Sequence, residues 1–177
     1  MVLSVSFVPY SRPLEGLTTL RAKLKNKITT PDVLSVQFDF AQCPVIWRHH
    51  IWGAAEYAPE IANGIFFYGE KETVFVTDDK WIAVPKGKGE RKTTPAGADL
   101  GARHMEGFLQ AVRTRQQPIC PIEDAYASAL TVQLAMISYE TGSKVVWDAA
   151  TEQIRDNPAA SRLLKRDYRA PWQHPWS

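Results

Sequence analysis

Cysteine is almost absent: Cys43 and Cys120 are the only two in 177 residues. Two thiols so far apart in the chain match no paired metal-ligand spacing and cannot form a disulfide framework, so a zinc knuckle and a stapled miniature scaffold are both excluded. Each precedes a proline, Cys43 beside an expected strand and Cys120 beside an expected helix, and both are expected as free, buried, small apolar groups. Net charge is also small. The 21 basic and 19 acidic residues leave +2, which creates no field able to draw a phosphate backbone in general. The densest basic stretch, Lys86, Lys88, Arg91 and Lys92, sits among glycines and ends at Pro95, as a solvated loop does. No nucleic-acid partner is expected. No apolar run approaches the length of about 18 residues that a membrane span requires, and Met1 to Tyr10 lacks the basic lead-in and leucine-rich centre of a signal peptide. No membrane association and a cytoplasmic location are therefore expected. There is no internal repeat.

One more absence concerns chemistry. A dinucleotide site needs backbone amides converging on pyrophosphate, usually from a glycine-rich turn between a strand and a helix. Gly87-Lys88-Gly89 is the nearest approach, and no helical pattern follows it directly. No cofactor-binding residue is expected within this chain.

What is present is an ordinary globular composition, 45% apolar and 23% charged, enough for one real core. Val2 to Tyr10 alternates and is expected as an edge strand, followed by a short basic helix carrying Leu17, Leu20 and Leu24. From Asp32 the period is two: Leu34, Val36, Phe38 and Phe40 share a face, with Val33, Ser35, Gln37 and Asp39 opposite. The strand expected over Val45–Trp52 sets Val45, Trp47, His49 and Ile51 against Ile46, Arg48, His50 and Trp52. After a connection over Gly53–Gly64, Ile65–Tyr68, Thr73–Val76 and Trp81–Val84 are separated by four-residue turns, which predicts an antiparallel meander.

Helical spacing appears later. Met105, Phe108, Leu109 and Val112 recur at i, i+3, i+4 and i+7. A second helix is predicted from about Pro121 to Glu140, stopped by Gly142, with Ala125, Ala129, Val132, Met136 and Tyr139 on one face and with Leu130, Leu134 and Ile137 broadening the apolar surface, so that burial on more than one side is expected. Lys144–Trp147 reads as a strand, and Asn157-Pro158 as a helix cap and first turn. The tail Tyr168–Ser177, with Pro171, Trp172, Pro175 and Trp176, is expected as an extended or exposed arm.

The stretch Asn63-Gly64-Ile65-Phe66-Phe67-Tyr68-Gly69-Glu70-Lys71-Glu72-Thr73-Val74-Phe75-Val76 resembles the C-terminal domain of the Gfo/Idh/MocA family of NAD(P)-dependent oxidoreductases, in its bacterial-type branch. Phe108-Leu109 before Ala111-Val112-Arg113, Pro118, Ile122-Glu123-Asp124, Trp147-Asp148 before Glu152, and Tyr168-Arg169-Ala170-Pro171-Trp172 follow in the same order, so the likeness runs from about Thr30 to Trp172. The resemblance implies an α+β domain with an open, mostly antiparallel β-sheet and helices packed on one face. It sets residues 1–30 apart as an N-terminal extension or edge element and 31–177 as the oxidoreductase-type domain with an extended tail. In the resembled family NAD(P) is held by a preceding Rossmann domain, and the open sheet face commonly meets a partner subunit. A Rossmann-domain partner, a homo-oligomer formed through the sheet face and a small polar substrate are the partners so implied. After Ile-Glu-Asp, where many relatives read glycine, histidine, arginine, this chain has Ala125, Tyr126 and Ala127.

No catalytic residue and no metal ligand can be assigned, because no paired acid, nucleophile or metal-ligand set is fixed by spacing. Alternate residues of one strand present their groups together, so Arg48, His50 and Trp52 are the best substrate-lining candidates, with His104 near the start of a helix as a fourth. Charged and hydrogen-bonding groups beside an aromatic plate suit a polyol or small carboxylate; the same groups suit a subunit interface. The expected function is thus the substrate-side and oligomerisation domain of an oxidoreductase acting on a sugar, polyol or related small molecule, not catalytically complete alone. The alternative is a non-enzymatic assembly or carbohydrate-binding module.

Overall fold

The computed structural model describes residues 2–7, 33–50 and 63–173. In chain order these form β1 (Val2–Phe7), β2 (Val33–Asp39), β3 (Pro44–His50), β4 (Ile65–Tyr68), β5 (Glu72–Val76), β6 (Lys80–Pro85) and β7 (Lys92–Pro95). Helices α1 (Leu100–Thr114) and α2 (Ile122–Thr141) follow, then β8 (Val145–Asp148), β9 (Gln153–Ile154) and the short helix α3 (Pro158–Arg162). The class is α+β, every described strand pairing is antiparallel, and the strands divide into two sheets. The chain comprises two compact units, Met1–Trp52 with Glu123–Ser177, and Gly53–Ile122. The short helix expected around Leu17–Leu24, Ile51 and Trp52, and most of the connection after them lie outside the described residues.

The first unit holds the sheet β3-β2-β1-β8-β9. The period of two is obeyed: Leu34, Val36 and Phe38 are buried while their neighbours in β2 are half-buried. Val5 lies across from Phe38 on one side and Val145 on the other, and Leu3 lies across from Trp147. The opening strand is therefore central, not the edge strand that its alternation suggested. Alternation reveals a strand but not its neighbours, and β8 comes from the far end of the chain. Together with Ile154 these residues make one apolar face, onto which α2 packs Leu134, Ala135 and Ile137 and α3 packs Ala160.

Helix α2 begins with Glu123 and Asp124, which favour the positive end of the helix. It ends where Gly142 takes φ +59, with Gly142 N–H donating to Tyr139 O (3.3 Å) and Ser143 N–H to Ser138 O (3.2 Å), the paired bonds of a Schellman stop. Its buried residues are Leu134, Ala135, Ile137 and Ser138, whereas Val132 is exposed. Leu134 and Ile137 are buried as expected, Val132 is a correction to the expected stripe, and the buried residues all lie in the second half of the helix. Apolar residues occur all round this helix, so its own pattern selects no face; contact with the sheet does. Asn157 caps α3, its Oδ1 accepting from Ala160 N–H at 3.0 Å, and its Nδ2 donates to Ser143 Oγ at 2.9 Å. Tyr168 and Trp172 are exposed, as expected of the tail.

The second unit carries the expected meander, β4-β5-β6, extended by β7. Phe66, Phe75 and Ile82 lie side by side across three strands, with the Phe66 and Phe75 rings 4.5 Å apart. The basic stretch is a loop only to Arg91: Lys92–Pro95 pairs with β6, a correction to the loop expected there. Thr93 and Thr94 suit a strand, and their β-branching was masked by the surrounding charge. Asp99 Oδ1 caps α1 by accepting from Ala102 N–H at 2.9 Å, and Arg115 ends it in the left-handed region. Both cysteines are free, and both are exposed rather than buried. Cys43 lies in the turn before β3 and Cys120 in the connection before α2, so neither is part of an element that faces a core.

Candidate functional site

Strand β3 is an edge of its sheet, and its two faces differ in kind. Val45, Trp47 and His49 continue the apolar face, lying across from Phe38, Val36 and Leu34. Val45 and Trp47 are nevertheless exposed, and they lie at the sheet's margin. Ile46, Arg48 and His50 occupy the opposite face, where Arg48 lies across from Ser35 and His50 across from Val33.

The register extends this second face into a polar panel. Ser6 lies across from Gln37 and Ser4 across from Asp39, so Arg48, Ser35, Gln37, Asp39, Ser6 and Ser4 all project from the side away from α2. Neighbours across such a pair are about 5 Å apart, and neighbours along a strand about 7 Å, so these side chains form one contiguous polar surface. Gln37 Nε2 donates to Asp39 Oδ1 at 2.7 Å, which fixes the orientation of the amide. Ser4 Oγ is buried with no hydrogen-bond partner, an orphan of the kind that calls for an explanation. Arg48 and His50 are both engaged in further interactions. They are the two predicted site residues that the structure brings together.

Trp52 lies outside the described residues. His104 is exposed on α1, in the second unit. The panel residues Ser35, Gln37 and Asp39 were visible as the polar half of an alternating strand, but only the pairing of β2 with β1 and β3 shows that they join Arg48. A second polar pair arises where this chain reads Tyr126: its Oη donates to Glu152 Oε1 at 3.1 Å. Burial first, and then the Glu152 carboxylate, raise the Tyr126 phenol above the ordinary tyrosine range. Glu152 holds φ +52 in the β8–β9 turn, a conformation uncommon for a residue with a side chain. Nearby, Arg155 Nε donates to Asp148 Oδ2 at 3.2 Å, and this bond, followed by the amide of Ala150, holds Asp148 below the usual carboxylate range.

The glycine-bearing turn at Gly87 does not have the form of a dinucleotide-binding turn. Gly87 has the positive φ, +92, of a turn glycine, but the turn joins the antiparallel strands β6 and β7 and leads to no helix N-terminus. Pyrophosphate binding of the dinucleotide type needs that helix end. Among the described residues, no group of three His, Cys, Asp or Glu is arranged to hold a metal ion, and no helix is long and apolar enough to cross a membrane.

Residues 68–174 match the C-terminal alpha/beta domain of the Gfo/Idh/MocA oxidoreductases. The chain belongs to the Gfo/Idh/MocA family. No curated protein and no solved structure matches it. The matched stretch takes in β5 to β9 and all three described helices, and with them the Tyr126–Glu152 pair. It begins at Tyr68, so the strands that build the polar panel lie before it. Gfo/Idh/MocA membership therefore speaks for the domain type and for NAD(P) use by the family's full-length proteins. The case for Arg48 and His50 stands on geometry alone.

Proposed function

We propose that this chain is the substrate-side and oligomerisation domain of a Gfo/Idh/MocA oxidoreductase acting on a sugar, polyol or related small molecule, with the nicotinamide held by a Rossmann domain elsewhere. The observation that carries the reading is the polar panel on β1–β3. Its hydroxyl, amide, carboxylate and guanidinium groups set hydrogen-bond donors and acceptors side by side on one face of the sheet.

Assembly is supported by the second sheet. Ile65, Val76 and Trp81 form one cross-strand row, and Phe67, Val74 and Ala83 the next. Of these, Ile65, Phe67 and Trp81 are 60, 57 and 41% exposed. Three exposed apolar side chains on one face of this sheet suit a surface that another subunit covers. This observation also favours a second reading, a non-enzymatic assembly module.

The test is a thermal-shift series with polyols, aldoses and sugar acids, in parallel with NAD(H) titration. A ligand-dependent rise in melting temperature that disappears in Arg48→Ala supports the substrate-side reading. Shifts equally large in Arg48→Ala and Ser35→Ala would remove the panel from consideration. Micromolar NAD(H) binding to this chain alone would overturn the separation of substrate and cofactor domains.

A further inference from the structure

Asn63 and Gly64 stand at the entry to β4, which is an edge strand of its sheet, and both residues are exposed. The bond from Gly69 N–H to Glu72 O (3.0 Å) closes the β4–β5 turn and so fixes which opposed residues exchange hydrogen bonds. Counting back in twos along the register gives Phe67 with Val74 and Ile65 with Val76. Ile65 and Phe67 therefore direct their amides at β5, and Gly64, one residue earlier, falls outside that ladder. Among the described residues, neither Gly64 N–H nor the Asn63 side-chain amide makes a hydrogen bond. Gly64 holds φ +155 and carries no side chain to shield its nitrogen. An unpaired main-chain nitrogen thus adjoins an unpaired primary amide.

The other two asparagines of the chain are Asn26 and Asn157. Asn157 precedes Pro158, whose nitrogen bears no hydrogen, and its amide is held by Ala160, Ser143 and Lys144. Asn26 precedes Lys27, whose side chain crowds the nitrogen that would have to attack. We infer that Asn63 is a site of spontaneous deamidation, begun by attack of Gly64 N on Asn63 Cγ. The N–Cγ bond forms, the Cγ–Nδ2 bond breaks, and Nδ2 leaves as ammonia with the proton given up by Gly64 N. Water then opens the cyclic imide. Cleavage of the new N–Cγ bond yields aspartate, and cleavage of the original N–C bond yields isoaspartate, with the chain rerouted through Cγ. The net change is water in and ammonia out, with no oxidant or reductant. Either product places a negative charge at the entry to β4, and isoaspartate also adds a methylene to the main chain. A Cβ on Gly64 would already come within 2.5 Å of Val76 O, so this stretch has little room for the added atom. The reacting groups belong to adjacent residues, so the step needs no second surface, and it does not depend on the substrate reading.

The experiment is incubation of the full chain in mildly alkaline buffer, with peptide mapping by mass spectrometry and methylation by an isoaspartyl carboxyl methyltransferase as the probe. The asparagine form is lost at position 63 and isoaspartate appears there, while positions 26 and 157 stay intact. Asn63→Gln, whose longer side chain closes a ring less readily, loses the methylation signal. In native buffer the loss runs within about tenfold of its rate in urea, because no ladder bond has to open first. Hydrogen exchange supplies a readout independent of the chemistry: Gly64 N–H exchanges freely while those of Ile65 and Phe67 are protected. Faster loss at position 26 or 157, a native rate more than about tenfold below the rate in urea, or protection at Gly64 equal to that at Ile65 overturns the inference. Incubated wild type melts below fresh protein and incubated Asn63→Gln does not; equal melting temperatures overturn the stated effect on β4.

Discussion

Two Asx caps with the same local chemistry sit in different surroundings, and Asn157→Ala should reveal the difference. Asn157 Oδ1 accepts from Ala160 N–H at 3.0 Å, while its Nδ2 donates to Ser143 Oγ at 2.9 Å and reaches Lys144 O at 3.4 Å. Ser143 Oγ in turn shares a hydrogen bond with Thr141 Oγ1 at 2.8 Å, so the amide ties α3 to the end of α2. Loss of a cap costs about 1 kcal/mol, and loss of the Ser143 bond about another 1 kcal/mol. Ala160 is fully buried, which keeps water from replacing the lost acceptor and adds a further ~0.5–1 kcal/mol. The sum is about 2.5–3 kcal/mol, equivalent to a fall in melting temperature of roughly 5–10 °C for a chain of this length. Asp99 caps α1 in the same way at 2.9 Å, but its surroundings are exposed, so Asp99→Ala should cost only about 1 kcal/mol. Urea unfolding followed by far-ultraviolet circular dichroism and by tryptophan fluorescence compares the two. Asn157→Asp keeps the acceptor, loses the donor, and should fall between Ala and wild type. If Asn157→Ala costs no more than Asp99→Ala, the reasoning about burial is wrong.

Asp148 gives a pH signature: its carboxyl is held below its unfolded value by the Arg155 bond, so its stabilisation is complete above about pH 4 and disappears as pH falls through the folded value. Urea midpoints measured from neutral to acid pH should therefore fall less steeply for Asp148→Asn than for wild type below about pH 4, and parallel curves would contradict the assignment. In an ultraviolet titration Tyr126 should ionise above the ordinary tyrosine range; Tyr126→Phe should remove its contribution, and Glu152→Gln should lower its value only in part, because burial is the larger cause. Gly64→Ala should destabilise by about 3 kcal/mol or more, since a Cβ there would come within 2.5 Å of Val76 O and 2.6 Å of the Phe75 ring; a denaturation midpoint like that of wild type would show that the backbone yields.

Much of the local structure was legible in the chain. Alternation in Val33–Asp39 identified both the strand and its buried half, the turns at Gly69–Glu72 and Thr77–Lys80 announced the meander, and Asn157-Pro158 marked a helix start. The candidate site was only half legible. Arg48 and His50 share a face because any strand makes i and i+2 neighbours, but nothing local reveals that Ser35, Gln37, Ser4 and Asp39 lie beside them. Lys92–Pro95 was missed because a short paired strand with charged neighbours has the composition of a loop. The cysteines were misplaced because small apolar character fits a core but does not oblige a residue to enter one.

By itself the sequence determined the properties that depend on neighbours within a turn or a strand: strand alternation, caps, helix stops, the amphipathic stripe of α1 and the identity of the groups on β3. Tertiary structure decided which strand is central, which side of α2 is buried and which polar residues gather around Arg48. The difference lies in the range of the forces that fix each property. Backbone sterics and local hydrogen bonds act over a few residues, whereas burial depends on surfaces that meet only when distant segments such as β1 and β8 pair.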